Sequence, residues 1–309
     1  MTPARDVLLL AARNRWLGEH LPRYRFVRTT VGRFMPGERT EDAIAAAERL
    51  ATDGIPATFT YLGENVESAA DADAAAVHYL ELLDLIEERG IDAEVSVKPT
   101  HLGLDLDPEE TLRRLRRLAE RSTTLGRHLF LDMESAPYVE PTLAVYRRLR
   151  EEFANTGVCI QAYLHRTPQD VADILAAGGS VRLVKGAYRE PRDVAIHDRR
   201  RIRATFEKLA LEFLRWSGGG RLALATHDVR LLAEVERRAA AAGFARDSYE
   251  IQMLYGIRVA DQRRLAREGF RVRVLISYGT HWYPWFMRRV AEHPVRNLWL
   301  AIRNLFARR

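Results

Sequence analysis

The sequence predicts an α/β fold in which eight parallel strands close into a (β/α)8 barrel. Eight short apolar runs, rich in β-branched and aromatic residues, recur along the chain, and amphipathic helical patterns separate them. Strands that are apolar almost throughout are typical of a parallel sheet whose faces are covered by helices. Eight such units are the number that closes into a barrel.

The eight predicted strands follow one another at intervals that each leave room for a helix. They are ATFTYLG (57–63), AEVSVKP (93–99), HLFLDM (128–133), VCIQAYL (158–164), VRLVKGAY (181–188), RLALATH (221–227), YEIQMLYG (249–256) and VRVLISYG (272–279). An open, doubly wound sheet is the alternative fold. It often has fewer strands and a G-x-G-x-x-G first turn, which this sequence lacks.

No linker or change of composition divides the chain, so we expect one domain over residues 1–309. Residues 1–50 are predicted to be helical decoration before the barrel of residues 55–295. Residues 296–309 (RNLWLAIRNLFARR) form a basic amphipathic pattern. Such a helix packs on the protein body or, as the alternative, contacts a membrane surface.

Composition excludes several classes of protein. A single cysteine, Cys159, rules out an internal disulfide and fits a reducing compartment. No apolar run approaches the length of a membrane span, and DVLLLAA near the start is too short for a signal peptide. The net charge of +6 is spread over helices that also carry acids, so nucleic-acid binding is not expected. We therefore predict a cytoplasmic protein.

Polar residues cluster where the predicted strands end, which is where barrels of this kind place their active sites. Only three lysines occur among 48 cationic residues, and Lys98 and Lys185 both lie at strand ends. Because Lys98 and Asp132 end adjacent strands, the sequence predicts an ion pair between them. The polar residues at the ends of the eight strands, in chain order, are Glu64, Lys98, Asp132, Gln161, Tyr163, Arg182, Lys185, Tyr188, Thr226, His227, Asp228, Gln252, Tyr255 and Tyr278.

These residues do not suggest a metal site or a hydrolase. His227 has no second histidine at ligand spacing, and the H-x-H, H-E-x-x-H, C-x-x-C and G-x-S-x-G patterns are absent. Gly186 ends its strand and would let the backbone approach a flat or phosphorylated ligand closely. Cations and hydrogen-bonding groups without a dominant acid–base pair favour a bound organic cofactor, and a flavin dinucleotide suits them well.

Ordered motifs then link the chain to a known family. FMPGE (34–38), TYLGE (60–64), VSVKPTHLGLDL (95–106), LDME (131–134), RLVKGAY (182–188), THD (226–228), QMLYGIR (252–258) and YGTHWYPWFMRRVAEHP (278–294) resemble flavin-dependent proline dehydrogenases of the short monofunctional bacterial type. The resemblance implies a distorted (β/α)8 TIM barrel with FAD at the carboxyl ends of the strands and a last helix over the flavin. It also implies oxidation of L-proline to Δ1-pyrroline-5-carboxylate, by hydride transfer from C5 to flavin N5, with electrons passed to a membrane quinone.

The resemblance also implies roles for individual residues. Arg288 and Arg289 would clamp the substrate carboxylate, with Glu64 paired to Arg288 when the site closes. The implied catalytic residues are Lys98, Asp132, Arg288 and Arg289. The implied substrate-binding residues are Glu64, Lys98, Ala187, Leu254, Leu275, Tyr278, Arg288 and Arg289. The implied cofactor-binding residues are Gln161, Arg182, Lys185, Gly186, Ala187, Tyr188, Thr226, His227 and Glu292. No metal is implied.

One position departs from the family pattern. Leu275 stands where the family usually has a tyrosine that covers the substrate ring and hydrogen-bonds the site's acid, and Ser277 stands where proline is common. We therefore expect Asp132 to be short of a partner, and proline turnover to be weakened or shifted toward hydroxyproline or another cyclic amino acid. Two further alternatives are a Schiff-base lyase using Lys98 or Lys185, and a non-catalytic flavin or amino-acid binding protein.

Overall fold

A closed barrel of eight parallel strands forms the centre of the computed structural model, which describes residues 20, 31–216 and 218–292, without the side chains of residues 289–292. Each strand pairs with the next one along the chain, and β8 pairs with β1. The predicted (β/α)8 fold is therefore confirmed. The strands are β1 Ala57–Tyr61, β2 Ala93–Val97, β3 Leu129–Leu131, β4 Thr156–Gln161, β5 Ser180–Val184, β6 Leu222–Ala225, β7 Glu250–Leu254 and β8 Arg271–Tyr278.

Helices cover the outside of the barrel. They are α1 Thr40–Ala51, α2 Ala69–Glu88, α3 Pro108–Thr124, α4 Val139–Glu152, α5 Thr167–Ala176, α6 Arg199–Arg215, α7 Val229–Ala241, α8 Val259–Arg267 and α9 Trp282–Glu292, with short 3-10 helices at Pro99–Leu102 and Ala136–Tyr138. Of the predicted N-terminal decoration, α1 lies within the described residues. The helix predicted at residues 296–309 lies outside them. None of the helices described here is both long enough and apolar enough to cross a membrane.

Local sequence fixes where several helices begin. The side chains of Ser68, Asp107, Asp198 and Asp228 accept hydrogen bonds from backbone N–H groups in the first turns of α2, α3, α6 and α7. Each of these residues therefore ends the loop that leaves a strand, and each aligns its helix to run back along the outside of the barrel. The loops between the strand ends and these caps are the segments that can carry functional residues.

The inside of the barrel is polar rather than aliphatic. The strand register aligns Thr58 with Glu94 across β1 and β2, and Gln252 with Arg273 across β7 and β8. At the amino-terminal ends of the strands, Glu94 accepts two hydrogen bonds from Arg221, at 2.7 and 2.8 Å, and one from Thr58 at 3.0 Å. Buried charges are tolerated only when they are paired in this way.

A second ion pair completes this floor of the barrel. Glu250 accepts hydrogen bonds at 3.1 Å from both Arg221 and Arg273. Arg273 also lies 3.8 Å from Glu94, so the four side chains form one network that joins β2, β7 and β8 to Arg221 just before β6. We call these four residues the ionic floor.

The last helix, α9, is anchored by its aromatic residues. Trp282 donates its ring N–H to Glu38 at 2.9 Å, and Trp285, Phe286 and Met287 are buried. Together with Trp282, Tyr283, Val31, Met35 and Leu62 they form an apolar cluster separate from the main core. This cluster fixes α9 across one end of the barrel, so that Arg288 points toward the ends of the strands.

Candidate active site

Most of the predicted site residues lie at or just after the carboxyl ends of the strands, as expected for a barrel, whereas Arg182 and Leu275 lie within β5 and β8. Glu64 follows β1, and Lys98 and Asp132 are the first residues after β2 and β3. Gln161 and Leu254 are the last residues of β4 and β7, whereas Lys185, Gly186, Ala187 and Tyr188 follow β5, and Thr226 and His227 follow β6. The side chains of Arg289 and Glu292 lie outside the described residues.

Glu64, Lys98 and Arg288 form a three-residue charge cluster that joins α9 to the barrel. Lys98 Nζ donates to Glu64 Oε2 at 2.7 Å, and both terminal nitrogens of Arg288 donate to the same carboxylate at 3.0 Å. Burial opposes ionisation of Glu64, but the charges of Lys98 and Arg288 outweigh it and lower the pKa of Glu64 well below its usual value. The cluster therefore carries a net charge of +1, which favours an anionic ligand.

The ion pair predicted between Lys98 and Asp132 is wrong. Lys98 lies one residue beyond β2 and directly before a 3-10 helix, and its side chain contacts Glu64 instead. The Asp132 carboxylate turns toward the barrel axis. It accepts hydrogen bonds from Ser96 Oγ at 2.7 Å and from Arg182 Nη1 at 2.8 Å. The expectation that Asp132 is short of a partner is therefore also wrong.

Arg182 lies inside the barrel below Asp132. It is only 2% exposed, donates its Nε–H to Gln252 Oε1 at 2.6 Å, and lies over the Phe130 ring at 4.6 Å. The amide nitrogen of Gln252 donates to Glu250 at 2.6 Å. Because a carboxylate only accepts, this contact fixes the orientation of the Gln252 amide and leaves its oxygen for Arg182.

The loop after β5 packs closely against the ring of Tyr163 at Gly186. Gly186 has φ +115°, and a Cβ there would lie 2.2–2.5 Å from the Tyr163 ring. A side chain at this position is thus excluded by both backbone conformation and space. A cavity of about 380 Å³ lies beside it. Tyr163, Gly186, Tyr188, Glu190, His197 and Ile202 are among its lining residues.

The residues after β6 lead into α7, and one of them, Asp228, contacts Lys185 just after β5. His227 Nε2 accepts the backbone N–H of Leu254 at 3.0 Å, so the proton of the neutral ring resides on Nδ1. Lys185 Nζ donates to Asp228 Oδ2 at 2.6 Å, and Arg203 of α6 donates to the same oxygen. Burial opposes the ionised form of Asp228, but these two cations outweigh it and lower its pKa to about 2.

Two of the predicted substrate-binding residues form an apolar wall. Leu254 and Leu275 are register partners on β7 and β8, one pair beyond Gln252 and Arg273 on the inner face, and both are half-buried. Tyr278 does not join them. It is fully buried, and its hydroxyl lies 2.7 Å from His78 of α2, so it packs between the barrel and a helix rather than at the mouth.

Three further polar residues belong to the site, although the sequence did not single them out. They are Ser96, Glu134 and Arg203. Glu134 is 3% exposed and binds the Thr100 hydroxyl at 2.8–2.9 Å. Burial raises its pKa, although Lys98 and Thr100 partly oppose this shift. The sequence could have indicated Ser96, because it lies two residues after Glu94 in β2 and alternate residues of a strand point to the same face. Within residues 31–216 and 218–288, whose side chains the structure describes, no group of three acidic, histidine or cysteine residues could hold a metal ion.

Comparisons with known proteins agree with the resemblance in the motifs. A family model described as proline dehydrogenase matches residues 43–294. The chain is similar to proline dehydrogenase 1 of Bacillus subtilis (strain 168), with 37% identity over 290 residues that cover 94% of this chain and 95% of the relative. It is 36% identical to the proline dehydrogenase of Deinococcus radiodurans over 278 residues, covering 88% and 89% of the two chains.

A solved structure shares the fold. Proline utilization A from Bdellovibrio bacteriovorus, inactivated by N-propargylglycine, superposes with a TM-score of 0.80 at 24% identity. The match covers 93% of this chain but 36% of that one, so this chain spans about a third of the larger protein's length.

Proposed function

Because the chain belongs to the proline dehydrogenase family and is an oxidoreductase that acts on proline, we propose that it binds FAD and converts L-proline to Δ1-pyrroline-5-carboxylate at the carboxyl ends of its strands. The observation that carries the proposal is the net positive cluster of Glu64, Lys98 and Arg288 at the carboxyl ends of the strands, in a barrel whose inner face also carries the apolar pair Leu254 and Leu275. An amino acid with an apolar ring needs this combination of an anion-binding group and an apolar wall.

Arg288 binds the substrate carboxylate in this proposal. Its guanidinium already holds one carboxylate, that of Glu64, through two parallel hydrogen bonds, which is the geometry that a substrate carboxylate also accepts. Glu64 keeps Arg288 turned into the site, and Arg289 is proposed as the second arginine of the clamp. The aromatic residues of α9 hold this helix in place.

Lys98 acts on the substrate amine. Its own burial opposes a positive charge, but the Glu64 carboxylate outweighs that and raises the pKa of Lys98, so the ammonium persists. A fixed positive charge near the substrate nitrogen disfavours the protonated amine. The neutral amine is the form from which a hydride can leave C5. Asp132, held by Ser96 and Arg182, orients the neighbouring polar groups.

The proposed contacts of a flavin dinucleotide lie on β4, β5 and β6 and in the loops that follow them. Gly186 lines the cavity and presents no side chain to it, Lys185 and His227 supply polar groups, and Gln161 and Arg182 lie toward the barrel axis. Thr226, Ala187, Tyr188 and Glu292 are the remaining proposed contacts. When bound, the flavin supplies the hydride acceptor. The proposed final electron acceptor is a membrane quinone.

The Schiff-base alternative has no support from the site. Schiff-base formation requires a neutral amine, and both candidate lysines donate to carboxylates, Lys98 to Glu64 and Lys185 to Asp228.

The experiment is to purify the protein, record its visible spectrum and add L-proline without oxygen. A flavin spectrum that bleaches with proline supports the proposal, whereas a protein that remains colourless after incubation with FAD refutes it.

A proline analogue is the second candidate substrate, because Leu275 offers no hydroxyl to the inner face of the barrel. Bleaching by trans-4-hydroxyproline or N-methylproline, but not by proline, would select this candidate. The matched variant is Leu275→Tyr, which restores the residue usual in the family and is expected to shift the preference toward proline.

A further inference from the structure

Two cations from different elements converge on one oxygen beside the cavity. Lys185, just after β5, and Arg203, in the second turn of α6, both donate to Asp228 Oδ2. The other oxygen of Asp228 accepts the backbone N–H of Leu231 at 3.2 Å and so caps α7. The cap fixes the carboxylate, and the carboxylate in turn fixes both cations.

This cluster is not neutral. Two positive groups share one negative group, which leaves a net charge of +1 at the amino-terminal end of a 13-residue helix. The side chains of Lys185 and Arg203 are 31% and 37% exposed, so both remain accessible to a ligand. Helix amino termini and convergent cations both favour ligands with several anionic oxygens.

The position of the cluster links it to the cavity. Lys185 precedes Gly186 and Arg203 follows Ile202, and both of these neighbours line the cavity. The two cations are therefore direct neighbours in the chain of residues that line the cavity, and the Asp228 oxygen is the point that both contact.

We propose that Arg203 is the second cation of the binding site for the cofactor's diphosphate, and that Asp228 is a positioning residue that holds Arg203 and Lys185 together. This inference rests on the proposed function, since it requires a flavin dinucleotide in the cavity. Arg203 lies on a different element from the predicted cofactor-binding residues, and its fork-shaped guanidinium suits a diphosphate with several oxygens.

The test compares two ligands that share the flavin ring and differ in phosphate. FAD and riboflavin are titrated into the full-length chain freed of flavin, and binding is followed by the quenching of flavin fluorescence. Arg203→Met is expected to weaken FAD binding by about 10- to 100-fold, the range for one hydrogen bond to a charged group. Riboflavin binding is expected to stay unchanged, and FAD binding to become less sensitive to salt.

Controls separate this role from a structural one. Arg201→Met removes an exposed arginine from the same helix and is expected to leave FAD binding unchanged, while Arg203→Lys is expected to restore part of the loss. Equal FAD affinity in Arg203→Met and wild type would overturn the inference. An equal loss for FAD and riboflavin would also overturn it, because Arg203 would then support only the fold. Wild-type protein that binds no FAD would instead refute the proposed cofactor.

Discussion

Replacing Glu94 by glutamine tests whether the ionic floor holds the barrel together. The substitution keeps the size of the side chain and a hydrogen-bond acceptor for Thr58, but removes the negative charge. Glu94 is 2% exposed and lies within 4.0 Å of three guanidinium groups, those of Arg182, Arg221 and Arg273. After the change, Glu250 is the one buried carboxylate that still pairs with Arg221 and Arg273, while the exposed Asp92 lies 3.7 Å from Arg273.

The expected cost follows from the burial of the network. Removing one partner from a buried ion pair destabilises a protein by about 3–5 kcal/mol, because an unpaired charge remains. At about 2.1 cal/mol/K per residue, unfolding of 309 residues has an entropy of about 0.65 kcal/mol/K near Tm. The two values together predict a decrease in Tm of about 5–8 °C.

Thermal unfolding followed by circular dichroism measures this decrease. The control is Glu234→Gln, which removes a carboxylate from exposed contacts with Arg237 and Arg238 and should leave Tm unchanged. If Glu94→Gln unfolds at the wild-type temperature, the floor contributes no net stability and the reasoning fails.

Three other perturbations have distinct expected results. Gly186→Ala places a methyl group against the Tyr163 ring at a positive φ. We expect the free energy of unfolding, measured in urea, to fall by about 1–3 kcal/mol. We also expect a lower flavin content by absorbance, and an unchanged stability and flavin content would contradict the geometry. Burial raises the pKa of Cys159 to about 12, so it should react with a thiol reagent at neutral pH only after unfolding, and fast reaction of native protein would argue against this. The pKa of the Glu64 carboxyl is lower in the folded than in the unfolded chain. The stability that this ionised carboxylate contributes is therefore complete above the unfolded pKa near 4.3 and is lost progressively as the pH falls below it. In urea titrations the wild type should lose more stability than Glu64→Gln between about pH 6 and pH 3.

The fold was predictable because strand patterning repeats eight times. Each predicted run contains all or most of a strand, since apolar β-rich segments between helical patterns leave few alternatives. The predicted positions of the strand ends were less accurate. The run from 181 to 188 was predicted as one strand, whereas β5 ends at Val184 and the polar residues after it form a loop. That loop carries Lys185 and Gly186 of the candidate site.

Partners across the barrel were harder to predict than positions. Lys98 and Asp132 end adjacent strands, but each contacts a residue that is distant in sequence, Glu64 for Lys98 and Arg182 for Asp132. Which side chains meet depends on how the barrel closes and on whether a residue lies in the strand or one step beyond it. The ionic floor was missed for the same reason, because its charges lie at strand beginnings and look like ordinary polar flanks in the sequence.

The ionic floor has a consequence for dividing the chain. Glu94 comes from the first half of the barrel, whereas Arg221, Glu250 and Arg273 come from the second. A fragment ending after β4 would therefore keep Glu94 without its arginines. The complementary fragment would keep Arg182, Arg221 and Arg273 with Glu250 as the one carboxylate of this network. Two fragments of a protein with an apolar interior can each bury apolar side chains on their own. Here, however, the charged groups of each fragment have their counter-charges in the other fragment. We expect the two fragments to fold only when they are mixed, with the floor acting as the element by which each recognises its complement.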